Sequence, residues 1–229
     1  MYQLFIANKN YSSWSLRPWV LMRELSIPFT ETLIPFGDAS GQLSIADVSP
    51  SGRVPCLKDG GLLVWDSLSI VEYLAERHAH VWPADAAARA WARSAAAEMH
   101  SGFFELRGIC SMNCGVQVRI HEVAVPLALE LERLNVLWQE GLQKFGGPFL
   151  TGPRFTAVDA FFAPVAFRAQ TYGLQLQPAG TQYVSRLLQL APMQEWFAAA
   201  LKEPWRDEQH EAEMHAAGTL IEDRRIAQS

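Results

Sequence analysis

The sequence predicts an α/β half followed by an all-helical half. Up to about residue 80, short apolar runs typical of strands alternate with amphipathic segments typical of helices. Beyond that point the chain is rich in Ala, Leu, Glu and Arg and carries few strand signals. We therefore expect one domain at residues 1–79, a linker at 80–85 and a second, helical domain at 86–229.

The first half is expected to run β-α-β and then β-β-α. The segment "YQLFIA" is a strand, "LRPWVLMREL" is a half-buried helix, and "FTETLI" alternates with the strand period. The runs "VPCLK" and "LLVW" surround "DGG", which is a strong hairpin signal. The segment "DSLSIVEYLAERH" then has the apolar spacing of a helix.

The second half is expected to consist of helices separated by Gly- and Pro-containing breaks. Asp85, which ends "HVWPAD", is a good N-cap for the first of these helices. The last 25 residues are charged and weakly periodic, so we expect them to follow the surface or fray. The expected helices span about residues 86–110, 122–145, 156–172, 182–190 and 193–202.

Composition excludes several classes of protein. Apolar residues make up 49% of the chain and charged residues 19%, which suits a packed globular protein. A net charge of −5 argues against nucleic acid as a partner, and no apolar run is long enough for a membrane span. Three cysteines and scattered histidines predict neither a disulfide scaffold nor a metal site. Because the N-terminus lacks signal-peptide features, we expect a cytoplasmic protein.

The connection after the first strand, "NKNYSSWSLRPWV", concentrates hydroxyl groups. A hydroxyl between a strand and a helix lies near the positive end of the helix dipole, a position that favours an anion. Proline is tolerated in the first helical turn, so Pro18 favours Ser15 as the N-cap. Ser12 and Ser13 would then be free to face a ligand, although an ordinary polar loop also explains them.

Two later segments also allow either a structural or a binding role. Val54-Pro55 precedes a short strand, and a cis peptide bond there would expose the preceding backbone N–H and C=O groups at the mouth of a site. Most bonds before proline are trans, so this signal is weak alone. Asp66 and Ser67 stand at a helix start, where they can cap the helix or receive the ammonium and carboxylate of an amino-acid ligand.

Taken in order, these segments resemble the soluble glutathione transferases. "NYSSWSLRPW" is most similar to the zeta-like pattern, which contains Ser-Ser-Cys-Ser, and Val-Pro and Asp-Ser follow at the matching places. In the second half, "RFTAVDAFFAPV" resembles the family's capping box, with Thr156 as N-cap and Asp159 at the third helical position. The resemblance covers residues 1 to about 205. It implies a thioredoxin-like α/β domain followed by an all-α domain.

The resemblance implies that a hydroxyl group activates glutathione. The thiolate is the nucleophile, and a free thiol has a pKa near 8.5. A hydrogen bond from a hydroxyl and a nearby helix N-terminus both favour the thiolate. Ser12 matches the family's activating serine, Ser13 is its alternative, and Tyr11 is a third candidate. The serine acts as a hydrogen-bond donor and not as a nucleophile.

The remaining glutathione contacts follow from the same resemblance. The backbone of Val54, beside a cis Pro55, would pair with the cysteinyl part of the tripeptide, and Arg53 would contact it as well. Asp66 and Ser67 would hold the γ-glutamyl ammonium and carboxylate. The residues implied to bind glutathione, as substrate or cofactor and without a metal, are Ser12, Arg53, Val54, Pro55, Asp66 and Ser67.

A second-substrate pocket is expected between Trp14 and the first helix of the second half. Trp14 stands where the zeta-like pattern has cysteine, which argues against thiol exchange and weakens an isomerase assignment. Arg168 lies about one turn before the isomerase's substrate-binding arginine, at whose position Thr171 stands. Arg168 either binds an acidic substrate or is a solvated or ion-paired helix residue. The other expected pocket residues are Met99, Phe103, Phe104 and Arg107, although an aromatic stripe of this kind is more often core than pocket.

These expectations favour a glutathione transferase that acts on small electrophiles. A glutathione-dependent isomerase of the maleylacetoacetate type is one alternative, and a non-catalytic glutathione- or ligand-binding protein is another. The resemblance also implies a homodimer and a small electrophilic or apolar second substrate. We expect neither nucleic acid nor a membrane as a partner.

Overall fold

A computed structural model, which describes residues 1–36 and 43–227, confirms the predicted order of strands and helices in the first half. One short helix between the second and third strands is an addition to the prediction, and a capping box between Ser44 and Asp47 starts it. The elements are β1 (Tyr2–Ile6), α1 (Ser13–Glu24), β2 (Phe29–Leu33), α2 (Ile45–Val48), β3 (Cys56–Asp59), β4 (Leu62–Trp65) and α3 (Ser67–Ala75).

The four strands form one mixed sheet in the order β2-β1-β3-β4. β1 pairs in parallel with β2, since α1 carries the chain back across the sheet, and it pairs antiparallel with β3. Leu4 and Ile6 join the main core on one face, while Phe5 packs with Ile34 and Cys56 on the other. This arrangement confirms the thioredoxin-like prediction.

The second half is mainly helical, as predicted, but it also contains two paired strands that an all-helical domain would not have. The expected helix over 86–110 is divided in two, because Phe103 adopts a left-handed backbone with φ of 53°. Asp85 is confirmed as a cap, since its carboxylate accepts a hydrogen bond of 2.8 Å from the Ala88 N–H. The elements are α4 (Ala86–Ser101), α5 (Phe104–Ile109), β5 (Val116–Ile120), α6 (Val125–Phe145), α7 (Ala157–Tyr172), α8 (Pro178–Gln189), α9 (Ala191–Leu201), α10 (Glu208–Ala217) and β6 (Gly218–Asp223).

The C-terminal segment follows the surface, which is one of the two expected outcomes, and the other, fraying, is wrong for residues 208–223. Residues 208–223 form α10 and β6, and β6 pairs antiparallel with β5. Ile120, at one end of this ladder, is the partner of Gly218. Because the two strands are so far apart in the chain, neither has the neighbouring turn that marks a hairpin in a sequence.

Helix α7 lies against both halves of the chain and is buried along nearly its whole length. Its start is the predicted capping box, in which the Thr156 N–H donates to Asp159 Oδ2 at 2.9 Å. The other oxygen of Asp159 accepts hydrogen bonds from the Leu150 N–H (3.0 Å) and the Tyr183 hydroxyl (2.8 Å). Burial raises the pKa of Asp159 to about 6. In the described ranges, no helix is long and apolar enough to cross a membrane.

Candidate active site

The loop between β1 and α1 forms one wall of the site, and α1 starts earlier than Pro18 suggests. It begins at Ser13, with Ser12 in the N-cap position and Pro18 inside the helix. The predicted cap at Ser15 is therefore wrong. The Ser15 hydroxyl instead accepts hydrogen bonds from the Ala7 N–H (3.3 Å) and from the Ser12 hydroxyl (2.7 Å). These bonds tie the start of α1 back to β1.

The three candidate hydroxyl groups have different environments. Ser12 already donates its proton to the Ser15 hydroxyl in the first turn of α1. Ser13 accepts a hydrogen bond of 3.4 Å from Nη2 of Arg168, and its own proton has no acceptor among the described residues. The hydroxyl of Tyr11, which is 2% exposed, donates to Glu211 at 2.8 Å. Burial and the neighbouring Glu211 carboxylate raise the pKa of Tyr11. Of the three, Ser13 has the proton that is free to meet a ligand.

The Val54-Pro55 peptide bond is cis, as predicted. The next residue, Cys56, starts β3 and is the cross-strand partner of Phe5 in β1. Since β1 and β3 run side by side, Val54 lies next to the loop that follows β1. Sheet pairing thus brings Val54-Pro55 next to the loop that follows β1, although the two segments are far apart in the sequence.

The start of α3 is capped, and it still has polar groups that can bind a ligand. Asp66 Oδ1 accepts a hydrogen bond of 2.8 Å from the Leu68 N–H, which confirms its capping role. Asp66 Oδ2 lies 3.6 Å from Nε2 of His100. The Ser67 hydroxyl is buried and has no partner among the described residues. Buried hydroxyl groups are normally hydrogen-bonded, so this one is a group that a ligand can satisfy.

Two neighbouring cavities meet at Trp14, which borders both together with Arg53 and Val54. The first cavity, of about 360 Å³, is lined by Trp14, Ser51, Arg53, Val54, Pro55, Trp65, Asp66, Ser67 and His100. The second cavity, of about 330 Å³, is lined by Tyr11, Ser12, Ser13, Trp14, Phe36, Ile45, Gly52, Arg53, Val54, Arg107, Ser111, Met112, Arg168, His210 and Glu213. A larger cavity of about 800 Å³, between β5, α6 and the end of α7, contains none of the predicted site residues.

The structure brings only some of the predicted second-substrate residues together. Trp14, Arg107 and Arg168 line the second cavity. Phe103 and Met99 are instead buried in the core, and Phe104 is 67% exposed. The prediction assumed one helix through this segment, and the left-handed turn at Phe103 redirects the side chains that follow.

Several residues of the second cavity were not predicted. His210 and Glu213 come from α10, while Ser111 and Met112 come from the segment after α5. The His210 ring stacks on that of Phe36, with 5.7 Å between their centroids. No local pattern marks these side chains, because the segments that they meet lie far away in the sequence.

Arg168 is a buried residue and not a solvated one. It is 3% exposed, and its Nε donates a hydrogen bond of 2.7 Å to the Cys110 carbonyl. Burial lowers the pKa of Arg168 to about 10. Within the described ranges it forms no ion pair. The interpretation as a solvated or ion-paired helix residue is therefore wrong.

Arg17 lines neither cavity, but it packs against Trp14, which borders both, and the sequence did not indicate its position. It is fully buried, and none of its guanidinium nitrogens has a hydrogen-bond partner in the described part of the chain. Its guanidinium carbon lies 4.0 Å from the ring centroid of Trp14 and 5.0 Å from that of Phe161. Burial, followed by the charges of Arg168 and Arg107, holds the pKa of Arg17 well below its usual range. An arginine in an amphipathic helix normally suggests a solvent-facing position.

The C-terminal half holds the loop that precedes Ser12. The Glu203 carboxylate, which is 5% exposed, accepts hydrogen bonds from the backbone N–H groups of Lys9 (2.6 Å) and Asn10 (3.1 Å). The indole N–H of Trp196 donates to the Lys9 carbonyl at 2.8 Å. Across residues 1–36 and 43–227, no group of three or more His, Cys, Asp or Glu side chains could hold a metal ion.

Comparisons with known proteins match both halves of the chain. The model described as "Glutathione S-transferase, N-terminal domain" matches residues 11–77, and that of the C-terminal domain matches residues 130–210. The glutathione S-transferase-like protein OpS6 of Beauveria bassiana is 27% identical over 205 residues, which cover 84% of this chain and 90% of the relative. A probable maleylacetoacetate isomerase of Caenorhabditis elegans is 25% identical over 175 residues, covering 74% and 79%.

Solved structures share the fold. A glutathione transferase homolog from Burkholderia gl BGR1, with bound glutathione, has a TM-score of 0.65 and 22% identity, covering 87% of this chain and 97% of its own. The theta class enzyme of Xanthomonas axonopodis pv. citri, also with glutathione bound, has a TM-score of 0.62 and 24% identity, covering 86% and 96%.

Proposed function

Because the chain belongs to the glutathione S-transferase family, we propose that it is an enzyme that joins the thiolate of glutathione to small electrophilic molecules. The observation that carries this proposal is the first cavity, whose wall combines Val54, Pro55, Asp66 and Ser67. The second cavity, next to it, contains Ser13. One cavity can therefore hold the tripeptide while its sulfur reaches the other.

Each polar group of the first cavity suits one part of glutathione. The Ser67 hydroxyl and the free N–H groups at the start of α3 receive the γ-glutamyl carboxylate. The Asp66 carboxylate receives the neighbouring ammonium group. The backbone of Val54 pairs with the cysteinyl residue, and Arg53, which borders both cavities, also contacts the tripeptide.

Ser13 is the residue that we assign to the thiolate. The family pattern points to Ser12, but the Ser12 proton is directed at Ser15, whereas Ser13 accepts from Arg168 and keeps its own proton for the sulfur. As the first residue of α1, Ser13 also lies at the positive end of the helix dipole. Lowering a thiol pKa by about two units takes roughly 2.7 kcal/mol. One hydrogen bond to an anion, worth about 1.5–3 kcal/mol, together with the dipole supplies this amount.

A glutathione-dependent isomerase is the second candidate, since one relative carries the name of a probable maleylacetoacetate isomerase. Trp14 argues against it, because the zeta-like pattern has cysteine at this position. A non-catalytic glutathione-binding protein is the third candidate. Conjugation uses Ser13, Asp66 and Ser67 together, and detoxification of electrophiles is the role that we assign to it.

A cytoplasmic homodimer is also part of this proposal. On the edge strand β4, Leu63 (39% exposed) and Trp65 (45%) point to the same face and form an apolar surface that a second copy would cover. All three cysteines are buried and unpaired, which suits a reducing compartment.

Calorimetric titration with glutathione, followed by a thiolate absorbance scan against pH, tests the proposal. We expect binding, with the thiol pKa of bound glutathione about two units below its free value. The substitution Ser13→Ala should remove most of this shift, because the donor to the sulfur is lost. The matched substitution Ser12→Ala should weaken the shift less.

Each other outcome has a distinct meaning. Failure to bind glutathione would remove both enzyme candidates. Binding with an unshifted thiol pKa would leave the non-catalytic protein. If Ser12→Ala reduces the shift in the thiol pKa more than Ser13→Ala does, then Ser12 is the residue that donates to the thiolate. Product analysis with a haloarene and with maleylacetoacetate separates conjugation from isomerisation.

A further inference from the structure

The large cavity of about 800 Å³ is separate from both proposed substrate cavities, since the described residues that line it line neither of them. It lies between β5, the first half of α6 and the end of α7, where Gly173 ends that helix in a left-handed turn with φ of 59°. Its volume is typical of small-molecule sites, which span about 300–1,000 Å³. Gln170 and Leu174 also border a neighbouring cavity of about 390 Å³, so the space for a ligand extends toward α8.

A β-bulge supplies one of the apolar side chains of this cavity. The register between β5 and β6 shifts after Gln117, and Ile221 is the extra residue that has no partner in β5. Ile221 lines the large cavity and is 50% exposed, while Val123, which also lines it, is 45% exposed. Bulges re-aim side chains and are frequent next to sites. Apolar side chains exposed inside a cavity leave water when an apolar ligand binds to them, which favours binding.

The wall of the large cavity carries no net charge among the described residues. Its charged side chains are one arginine, Arg119, and one glutamate, Glu132. Two hydroxyl groups of the wall are already in use, because Thr171 and Tyr172 donate to backbone carbonyls at 2.8 and 2.9 Å. The polar groups that remain for a ligand are therefore mainly uncharged side-chain amides.

Three such amides line the large cavity. Asn135 is 8% exposed, and its Oδ1 accepts a hydrogen bond of 3.0 Å from the Gln177 N–H, which leaves Nδ2 without an acceptor among the described residues. The half-buried side chains of Gln117 and Gln170 form no hydrogen bond within the described ranges. An amide donates to a carbonyl or hydroxyl oxygen and accepts from a hydroxyl, but it does not neutralise a charge.

We propose that the large cavity is a second ligand site, which binds an uncharged and mainly apolar multi-ring molecule that carries carbonyl or hydroxyl groups. The apolar rings cover Ile221 and Val123, and the polar groups meet Asn135 and the two glutamines. A charged ligand is disfavoured, because it loses hydration that this neutral wall does not replace. The inference goes beyond the transferase proposal and does not depend on it, since the ligand is bound away from Ser13 and is not converted.

Nile red is a suitable probe, because it is an uncharged four-ring dye with a carbonyl group and its emission rises in apolar surroundings. The full chain is titrated with the dye in the presence of saturating S-hexylglutathione, which fills the two proposed substrate cavities. We expect saturable binding of one dye molecule per chain. Absence of a saturable signal would overturn the inference. Complete displacement of the dye by S-hexylglutathione would do the same, since it would place the dye in the second cavity.

The substitution Ala128→Trp locates the dye. Ala128 is an exposed residue of α6 that lines the large cavity, so an indole at this position occupies the space of the ligand. We expect about tenfold weaker dye binding or more and an unchanged Kd of glutathione. Ala198→Trp, at an exposed position of α9, is the matched control and should bind the dye normally. Should Ala128→Trp fail to fold, Val123→Glu gives the same readout. Undiminished dye binding in the folded variant would show that the dye lies elsewhere.

Testosterone and its 17-sulfate test the preference for an uncharged ligand. Both have the same four rings and the same enone carbonyl, and they differ in charge. We expect testosterone to displace Nile red at about a tenfold lower concentration than the sulfate does. Equal displacement, or a preference for the sulfate, would refute the ligand class.

A contact between two copies of the chain is the competing use of this surface. Sedimentation of the wild type and of Ala128→Trp distinguishes the two uses. If the variant changes the oligomeric state and the wild type does not bind Nile red, the surface is an interface and the inference is wrong. Loss of dye binding with an unchanged oligomeric state supports the ligand site.

Discussion

Trp14 shows how a single side chain can serve both cavities. Its ring faces the guanidinium of Arg17 at 4.0 Å and that of Arg107 at 5.3 Å, and it meets His100 edge-on at 5.3 Å between centroids. A cation–π contact contributes about 0.5–2 kcal/mol, so the indole helps to hold two arginines close to Ser13. A cysteine at this position would offer a thiol but no aromatic ring for the two arginines to pack against. Trp14 therefore fits the proposed electrostatic activation of glutathione better than it fits thiol exchange.

Ser67 gives the sharpest prediction for a single residue. Its buried hydroxyl has no partner among the described residues, so removing it should not destabilise the ligand-free protein. Ser67→Ala should weaken glutathione binding about 3- to 10-fold, because a hydrogen bond to a carboxylate is lost. Titration calorimetry measures the affinity, and the exposed Ser69→Ala is the control. A lower melting temperature with unchanged affinity would contradict the assigned role.

The start of α7 shows how one element joins distant parts of the helical half. Asp159 completes the capping box with Thr156 and also binds Leu150 and Tyr183, so a single carboxylate fixes the end of one loop and the face of another helix. Because α7 carries Arg168 three turns later, the box also sets where that guanidinium lies. The capping box therefore supports the site without touching it.

Asp159 also makes folding stability depend on pH. Its pKa is about 6 in the folded protein against an ordinary 3.8, so the folded state holds this proton more tightly than the unfolded state. The resulting stability is present below about pH 4 and is lost as the pH rises through about 6, a change of about 3 kcal/mol. Urea unfolding from pH 4 to 7 should show this change relative to Asp159→Asn. The control Asp85→Asn should keep the pH dependence of the wild type. If the free energy of unfolding of Asp159→Asn varies with pH in the same way as that of the wild type, the effect is disproved.

On the scale of the whole molecule, the site is assembled from both ends of the chain. Glu203 binds two consecutive backbone N–H groups in the loop before Ser12, and Arg225 donates to the Tyr11 hydroxyl at 3.0 Å and to Glu211 at 2.9 Å. Burial opposes the ionisation of Glu211, yet the hydrogen bonds from Arg225 hold its pKa below the usual range. The loop geometry is thus determined by residues about 190 to 215 positions away.

Glu203→Gln tests this long-range support. A carboxamide has only one oxygen, so one of the two backbone N–H groups at Lys9 and Asn10 loses its acceptor. We expect a loss of about 1–3 kcal/mol in the free energy of unfolding. The thiol pKa of bound glutathione should also rise toward its free value, since the loop before Ser13 loosens. Glu208→Gln, at an exposed position nearby, is the control. An unchanged thiol pKa would show that the loop holds its shape without Glu203.

Features whose partners are close in the sequence could be predicted, and features with distant partners could not. The cap at Asp85, the capping box at Thr156 and the hairpin around "DGG" depend on residues two to four positions apart. The cap at Ser15 was predicted wrongly, because Ala7, eight positions earlier, uses that hydroxyl for a hydrogen bond.

Arg168 and Arg17 illustrate features whose partners are distant in the sequence. The sequence leaves Arg168 as either a contact for an acidic substrate or a solvated or ion-paired helix residue. Its hydrogen-bond partners are Cys110 and Ser13, 58 and 155 positions away. Arg17 lies in a helix whose pattern suggests an exposed charge, and the ring of Trp14 together with Phe161 of α7 covers it instead. Local periodicity shows which residues share a helix face, but it does not show what covers that face.

The bond between Tyr11 and Arg225 also has a consequence for the timing of synthesis. The two residues are 214 positions apart, and a ribosome adds about 5–20 residues per second, so roughly 10–40 s separate their appearance. During that interval the nascent chain already contains the serine motif but lacks the arginine that holds Tyr11. A chain released before residue 225 would therefore contain the intact serine motif, but the loop that carries it would lack the hydrogen bond from Arg225 to Tyr11.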